Sequence, residues 1–181
     1  SDLLIVETID GQLVVQSPNS RYVFEGNIRD TWSGKYLVTI DDFKRSIETL
    51  PIKGLNLNES EYNTFSIGSG DKQVWVWGDP LCQQCKTLAK LVEQGKYPDY
   101  RFVFFVIPAL GGESVDLVKR ASCEGDREKV KQAFINSQLH TLSDAKCDPL
   151  RADITAMMAQ VLRIQAVPTV VSSKGIVSKG V

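Results

Sequence analysis

The chain of 181 residues has a single histidine, no excess of either charge and no long apolar run. His140 has no cysteine near it in sequence, which removes the usual mixed cysteine–histidine zinc arrangement. Basic residues number 21 and acidic residues 22, for a net charge of −1, so nothing in the balance points to nucleic acid or an anionic membrane as partner. No stretch approaches the roughly 20 apolar residues that a membrane helix needs, so a membrane-embedded protein is not expected. There is no internal repeat and no low-complexity tract. Ser1-Asp2 runs directly into a strand-like segment, so the reading is either a cytosolic protein or one whose leader has been removed. What is present is ordinary for a globular protein: 43% hydrophobic and 24% charged residues, enough for one domain of usual size plus a small module.

The four cysteines carry the information. Cys82-Gln83-Gln84-Cys85 follows a short apolar run, Val74-Trp75-Val76-Trp77, that reads as a buried strand ended by Gly78-Asp79-Pro80. Cys85, Leu88, Leu91 and Val92 then recur at helical spacing to about Gly95. Cys82 is thus expected where a strand becomes a helix, in a turn where exposure is normal. The first amides of a helix lack partners in the chain, and the aligned peptide dipoles add positive charge there. A thiolate is stabilised at such a point, and the thiolate is the nucleophile of disulfide exchange. Cys85 lies three residues on, where it can resolve a mixed disulfide or store one. Half of a zinc site has the same spacing, but neither Cys123 nor Cys147 begins a second such pair, so no metal is assigned. Those two cysteines are either a structural bridge, of the kind that persists in oxidising compartments, or two buried free thiols.

Along the chain, residues 1 to about 38 read as a β-meander. Leu3-Leu4-Ile5-Val6 and Gln12-Leu13-Val14-Val15 flank the turn signal Asp10-Gly11, a second turn at Pro18-Asn19-Ser20 precedes Tyr22-Val23-Phe24, and Tyr36-Leu37-Val38 is a last strand. A module of this size is too small to bury a core alone, so a second copy pairing at its strand edges is expected. Ile40, Phe43, Ile47 and Leu50 mark one face of a short helix over residues 41–50, stopped by Pro51. A polar joint follows from Asn56 to Thr64. The second domain begins near Tyr62 with a strand over Thr64-Phe65-Ser66-Ile67. The strand at 74–77, the helix from Cys82 and a strand over residues 102–107 make a βαβ unit with a parallel pair. Gly111-Gly112 opens a helical region that includes 115–121, 127–137 and 153–162, and Val170-Val171 and Ile176-Val177 form a closing hairpin around Ser173-Lys174-Gly175.

Together these residues resemble the thioredoxin superfamily, and within it the periplasmic DsbC/DsbG family of disulfide isomerases. The resemblance spans nearly the whole chain: a small N-terminal β module, a helix, the run Asp79-Pro80-Leu81-Cys82 with Cys85-Lys86, and the late Val167-Pro168-Thr169. It implies an α+β or α/β fold. A cystatin-like dimerisation module over 1–40 and a linker helix and joint over 41–61 lead to a thioredoxin-like domain over 62–181 with a helical insert at about 112–163. It further implies Cys82 as the attacking and Cys85 as the resolving cysteine, Pro168 as a cis-proline facing the motif, and a structural disulfide between Cys123 and Cys147. Gln83, Gln84, Val167, Pro168 and Thr169 are then the substrate-binding positions, the backbone beside Pro168 pairing with an extended client segment. A thioredoxin-like domain also closes with a helix after its final hairpin. The sequence to Val181 carries no helical stripe there, so either a further tail is expected or a variant fold replaces the helix by strand exchange, the tail being the favoured reading.

The implied activity is that of a protein disulfide isomerase or thiol–disulfide oxidoreductase, without cofactor, in the periplasm. Its partners are misfolded or disulfide-containing secreted proteins, a DsbD-like membrane thiol reductant, and a second copy of the chain. Two departures leave the balance of isomerase, reductase and oxidase open. Val167 precedes the proline where DsbC-like proteins usually have threonine, and Gln83-Gln84 replaces the usual Gly-Tyr or Pro-Tyr. Rival readings are a dedicated reductase or oxidase for a secretion or conjugation apparatus, and a non-catalytic holdase. Of the other residues, Trp75 and Trp77 read as core, Trp77 near the floor of the site, and Met157-Met158 as helix packing. Lys86 reads as a solvated lysine and Asp79 as a helix cap. The strand at 74–77 holds no acid and offers no buried proton acceptor.

Overall fold

The computed structural model describes residues 4–55, 57–143 and 147–180. Of the positions read above, Ser1, Asp2, Leu3, Asn56 and Val181 lie outside the described residues. The chain divides into two compact units, residues 1–55 and 56–181.

In the first unit, β1 (Leu4–Glu7), β2 (Leu13–Gln16) and β3 (Val23–Glu25) form an antiparallel sheet in that order. The turn signal Asp10-Gly11 works as read. Gly11 takes φ +81°, a region open to glycine, and its N–H donates to Thr8 O at 2.9 Å. In the second turn, Asn19 Oδ1 accepts the Ser17 hydroxyl at 2.8 Å and the Arg21 N–H at 3.2 Å. Next comes a two-stranded ribbon of β4 (Ile28–Arg29) and β5 (Tyr36–Leu37). The helix α1 (Ile40–Ile47) is shorter than its apolar stripe suggested. Thr39 caps it, its hydroxyl accepting Asp42 N–H at 3.1 Å while Asp42 Oδ2 accepts Thr39 N–H at 3.0 Å, a reciprocal capping box.

The second unit runs β6 (Thr64–Ile67), β7 (Lys72–Gly78), α2 (Gln83–Glu93), β8 (Tyr100–Val106), α3 (Gly112–Cys123), α4 (Arg127–Ile135), α5 (Leu150–Val161), β9 (Thr169–Ser172) and β10 (Val177–Lys179). The sheet order is β10-β9-β7-β8-β6. Only β7 and β8 are parallel, with Val74 opposite Phe102, because the chain crosses between them through α2. The pleat sorts the strands into two faces. Phe65, Ile67, Val74, Val76, Phe102, Phe104 and Val106 share a buried cluster with Leu88, Ala89 and Val92 of α2 and Val130, Ala133 and Phe134 of α4. Phe65 stacks on Phe104 at 4.9 Å and meets Phe134 at 5.1 Å, each pair adding about 0.5–1.5 kcal/mol beyond burial. On the opposite pleat Trp77 stacks on Phe105 at 5.0 Å. Trp77 therefore does not floor the site. Its neighbours Val76 and Gly78 face α2, since side chains alternate along a strand.

Buried Asn63 ties this framework together. Its N–H donates to Thr155 Oγ1 of α5 at 2.8 Å, its amide nitrogen to Val118 O of α3 at 3.1 Å, and its carbonyl accepts Val106 N–H of β8 at 2.9 Å. The helices α3 to α5 form the insert between β8 and β9, and a disulfide from Cys123, the last residue of α3, to Cys147 before α5 closes a loop that contains α4.

Candidate functional site

After β7 ends at Gly78, Asp79-Pro80-Leu81 turns the chain into α2. Asp79 is fully buried, and three donors satisfy its carboxylate. Oδ1 accepts Leu81 N–H at 2.7 Å and the Ser114 hydroxyl at 2.9 Å, and Oδ2 accepts Leu110 N–H at 2.8 Å. The carboxylate thus sits at the start of α3, where the helix dipole favours an anion. Asp79 does not cap α2 as the sequence suggested. It is the buried acid that the strand itself lacks, reached one residue beyond the strand end.

Cys82 itself is the cap of α2. Its backbone is extended (φ −72°, ψ 109°), and its sulfur accepts Cys85 N–H at 3.1 Å. The first turn of α2 contains no acidic residue, so an amide donor and the helix dipole act on this sulfur unopposed from within the helix. Cys82 and Cys85 are joined as a disulfide with Cα atoms 5.3 Å apart. The exposure expected for Cys82 is small: the residue is 6% exposed, Cys85 is 0% exposed, and the flanking Leu81, Gln83 and Gln84 are open to solvent. Of the two bonded residues, Cys82 is the less buried.

α4 backs the site. Cys85 lies in the same buried cluster as Val130 and Phe134. Lys86, next in the helix, is only 9% exposed, and its Nζ donates to Ser137 Oγ at 2.9 Å. The solvated lysine read from sequence is instead a tie between α2 and the end of α4. At the other end of α2, Glu93 Oε1 accepts Gln132 Nε2 at 2.7 Å and lies 3.3 Å from Lys131 Nζ.

The loop before β9 meets the same strand. The peptide bond Val167–Pro168 is cis. Trp77 pairs with Thr169, so the antiparallel register brings Pro168 opposite Gly78, where the motif's turn begins. Val167 packs against the cluster that includes Cys82 and Cys85, and among the described residues its N–H and C=O have no hydrogen-bond partner. Pro168 and Thr169 are buried, and the Thr169 hydroxyl donates to Ala166 O at 2.6 Å. Cys123 and Cys147 are bridged in the structure, with Cα atoms 5.8 Å apart. Among the described residues no group of three or more metal-ligating side chains comes together, and no helix is long and apolar enough to cross a membrane.

No family model matches the chain, and no curated protein matches it in sequence. Solved structures do. A disulfide interchange protein from Neisseria gonorrhoeae is 21% identical, with 68% of this chain covering 88% of that one at a TM-score of 0.56. A periplasmic thioredoxin-like protein from Salmonella enterica serovar Typhimurium is 16% identical, covering 71% of this chain and 86% of that one, at a TM-score of 0.49. Oxidised BdbD from Bacillus subtilis is 19% identical over 65% of this chain and 84% of that one, also at a TM-score of 0.49. The likeness to the Neisseria protein, over 68% of this chain, shows the fold alone, a thioredoxin-like α+β arrangement.

Proposed function

We propose that this chain catalyses thiol–disulfide interchange, isomerising or reducing non-native disulfides of secreted proteins through Cys82 and Cys85. The observation that carries the reading is the place of Cys82: cap of α2, sulfur on an amide N–H, bonded to a cysteine with no exposure of its own. In the reduced protein the Cys82 thiolate attacks a client disulfide, forming one S–S bond and releasing one client thiolate. A second client thiol can then displace Cys82, which isomerises the client with no net electron transfer. Otherwise Cys85 displaces the client, which leaves it reduced by two electrons and the Cys82–Cys85 pair oxidised. An external membrane thiol reductant of the DsbD type returns the pair to the dithiol.

The exposed Gln83 and Gln84 and the half-buried Val167 are the client-facing positions, and the unpaired backbone of Val167 offers an added strand its hydrogen bonds. Pro168 and Thr169 are buried and act through the shape of that loop. The periplasm is the proposed compartment, since two disulfides in one chain suit oxidising surroundings. The first unit is proposed as the dimerisation module: Leu4 on β1 is 47% exposed and Phe24 on β3 is 60% exposed, and both strands are edges of their sheet. Reactivation of scrambled ribonuclease tests the function. Catalysis that Cys82→Ser abolishes supports it, whereas slowed aggregation without recovered ribonuclease activity marks a holdase instead.

A further inference from the structure

Gly78 is the last residue of β7 and has no conformational need to be glycine. It is absent from the positive-φ residues, it pairs with Val106 of β8, and its carbonyl accepts Ile107 N–H at 2.9 Å. What the missing side chain leaves is room. A Cβ placed on Gly78 would lie 3.5 Å from Cys85 Cβ, 3.6 Å from Cys85 Sγ and 3.6 Å from Phe134 Cζ, all ordinary van der Waals distances. A methyl-sized space therefore adjoins the buried sulfur of Cys85, and the edge of the Phe134 ring also borders it.

That space matters when the disulfide opens. Reduction by glutathione breaks the Cys82 Sγ–Cys85 Sγ bond. Two glutathione thiols give up two electrons and two protons to become glutathione disulfide, and the two cysteines become thiols. Two sulfurs in non-bonded contact occupy more room than a bonded pair. Cys82 is fixed as the cap of α2, and Cys85 is fully buried among core side chains. A packed interior resists such added volume. We propose that Gly78 is a positioning residue for the redox couple: the space it leaves accepts the Cys85 sulfur in the dithiol state and so shifts the equilibrium toward the reduced pair. This rests on the reading of Cys82–Cys85 as the working couple, and it adds a reason for that couple to stay reduced enough to isomerise.

Three variants test it: Gly78→Ala, Phe134→Leu and, as control, Gly112→Ala, where nothing lies within 4 Å of the added methyl. Each is equilibrated with glutathione buffers, and each is melted in chemically oxidised and reduced form. Gly78→Ala is expected to move the equilibrium about tenfold toward the disulfide, which is about 30 mV for a two-electron couple. It should lower the melting temperature of the reduced form while sparing the oxidised form. Phe134→Leu, which removes the ring edge that borders the space, should move the equilibrium the other way, and Gly112→Ala should not move it. The proposal is overturned if Gly78→Ala changes the equilibrium less than twofold, if Gly78→Ala and Phe134→Leu shift it in the same direction, or if oxidised Gly78→Ala fails to fold. If the wild-type pair does not exchange with glutathione at all, the proposed function fails, and the oxidised-versus-reduced melting difference still decides the role of Gly78.

Discussion

Removing the second disulfide, through the double change Cys123→Ala and Cys147→Ala, should weaken the second unit without unmaking it. The bonded cysteines are 24 residues apart in sequence, and by loop-closure entropy such a link removes about 3.5 kcal/mol from the denatured ensemble at 25 °C. The closed loop contains α4, which the folded state holds by other means: buried Val130 and Phe134, the Lys86–Ser137 hydrogen bond, and the contacts of Glu93 with Gln132 and Lys131. The loss therefore falls mainly on the unfolded side. Urea unfolding of oxidised protein, followed by Trp75 and Trp77 fluorescence in a Trp32→Phe background, should show a fall of roughly 2–4 kcal/mol. With a urea slope of roughly 2 kcal/mol/M the midpoint drops by about 1–2 M. Far-UV circular dichroism at zero urea should stay unchanged. A fall of less than about 1 kcal/mol would refute the view that this bridge is a structural staple, and a loss of helix at zero urea would refute the view that α4 is held by packing.

Three further expectations follow from single sites. Iodoacetamide should modify Cys82 before Cys85 in the freshly reduced protein, with Cys82 still reactive below pH 7; labelling of Cys85 first would reverse the assigned roles. Gly70→Ala should cost at least about 2 kcal/mol in urea unfolding, because its methyl would overlap the backbone of Asp99 and Tyr100, whereas Gly112→Ala should cost under about 0.5 kcal/mol. Asp42 should titrate at about 2, held down first by the Thr39 hydroxyl and then by Arg45. Its folded value lies below the ordinary carboxylate range near 3.9, so the stability its cap gives α1 is complete above about pH 4 and lost as pH falls through 2; an NMR titration midpoint near 4 would contradict the capping box.

The sequence was most legible where periodicity and punctuation agree. The strand over Thr64–Ile67 coincides with β6, and the parallel pair around the motif follows from an apolar run, a breaker and a helical stripe in series. Element ends were less legible where the deciding partner is distant in sequence. The opening of α3 at Gly111-Gly112 was legible from its glycines, but the contact of Ser114 in its first turn with Asp79, 35 residues earlier, was not. α5 starts at Leu150 on Pro149, ahead of the stripe that begins at Asp153. The two-residue strand β4 gives no period at all. The cysteine pair was readable at the site because a helix start has a local signature. The burial of Asp79 and Lys86 was not, since each depends on a partner outside its own element: Ser114 and Leu110 for one, Ser137 for the other.

The central claim is that Cys82 is the sulfur that bonds to clients. The most direct measurement is mass mapping of the adduct formed when reduced Cys85→Ser protein meets a disulfide-bonded client such as scrambled ribonuclease. A stable mixed disulfide should form on Cys82, with Cys123 and Cys147 still joined to each other. An adduct on Cys123 or Cys147, or no adduct while the same protein remains folded, would contradict it.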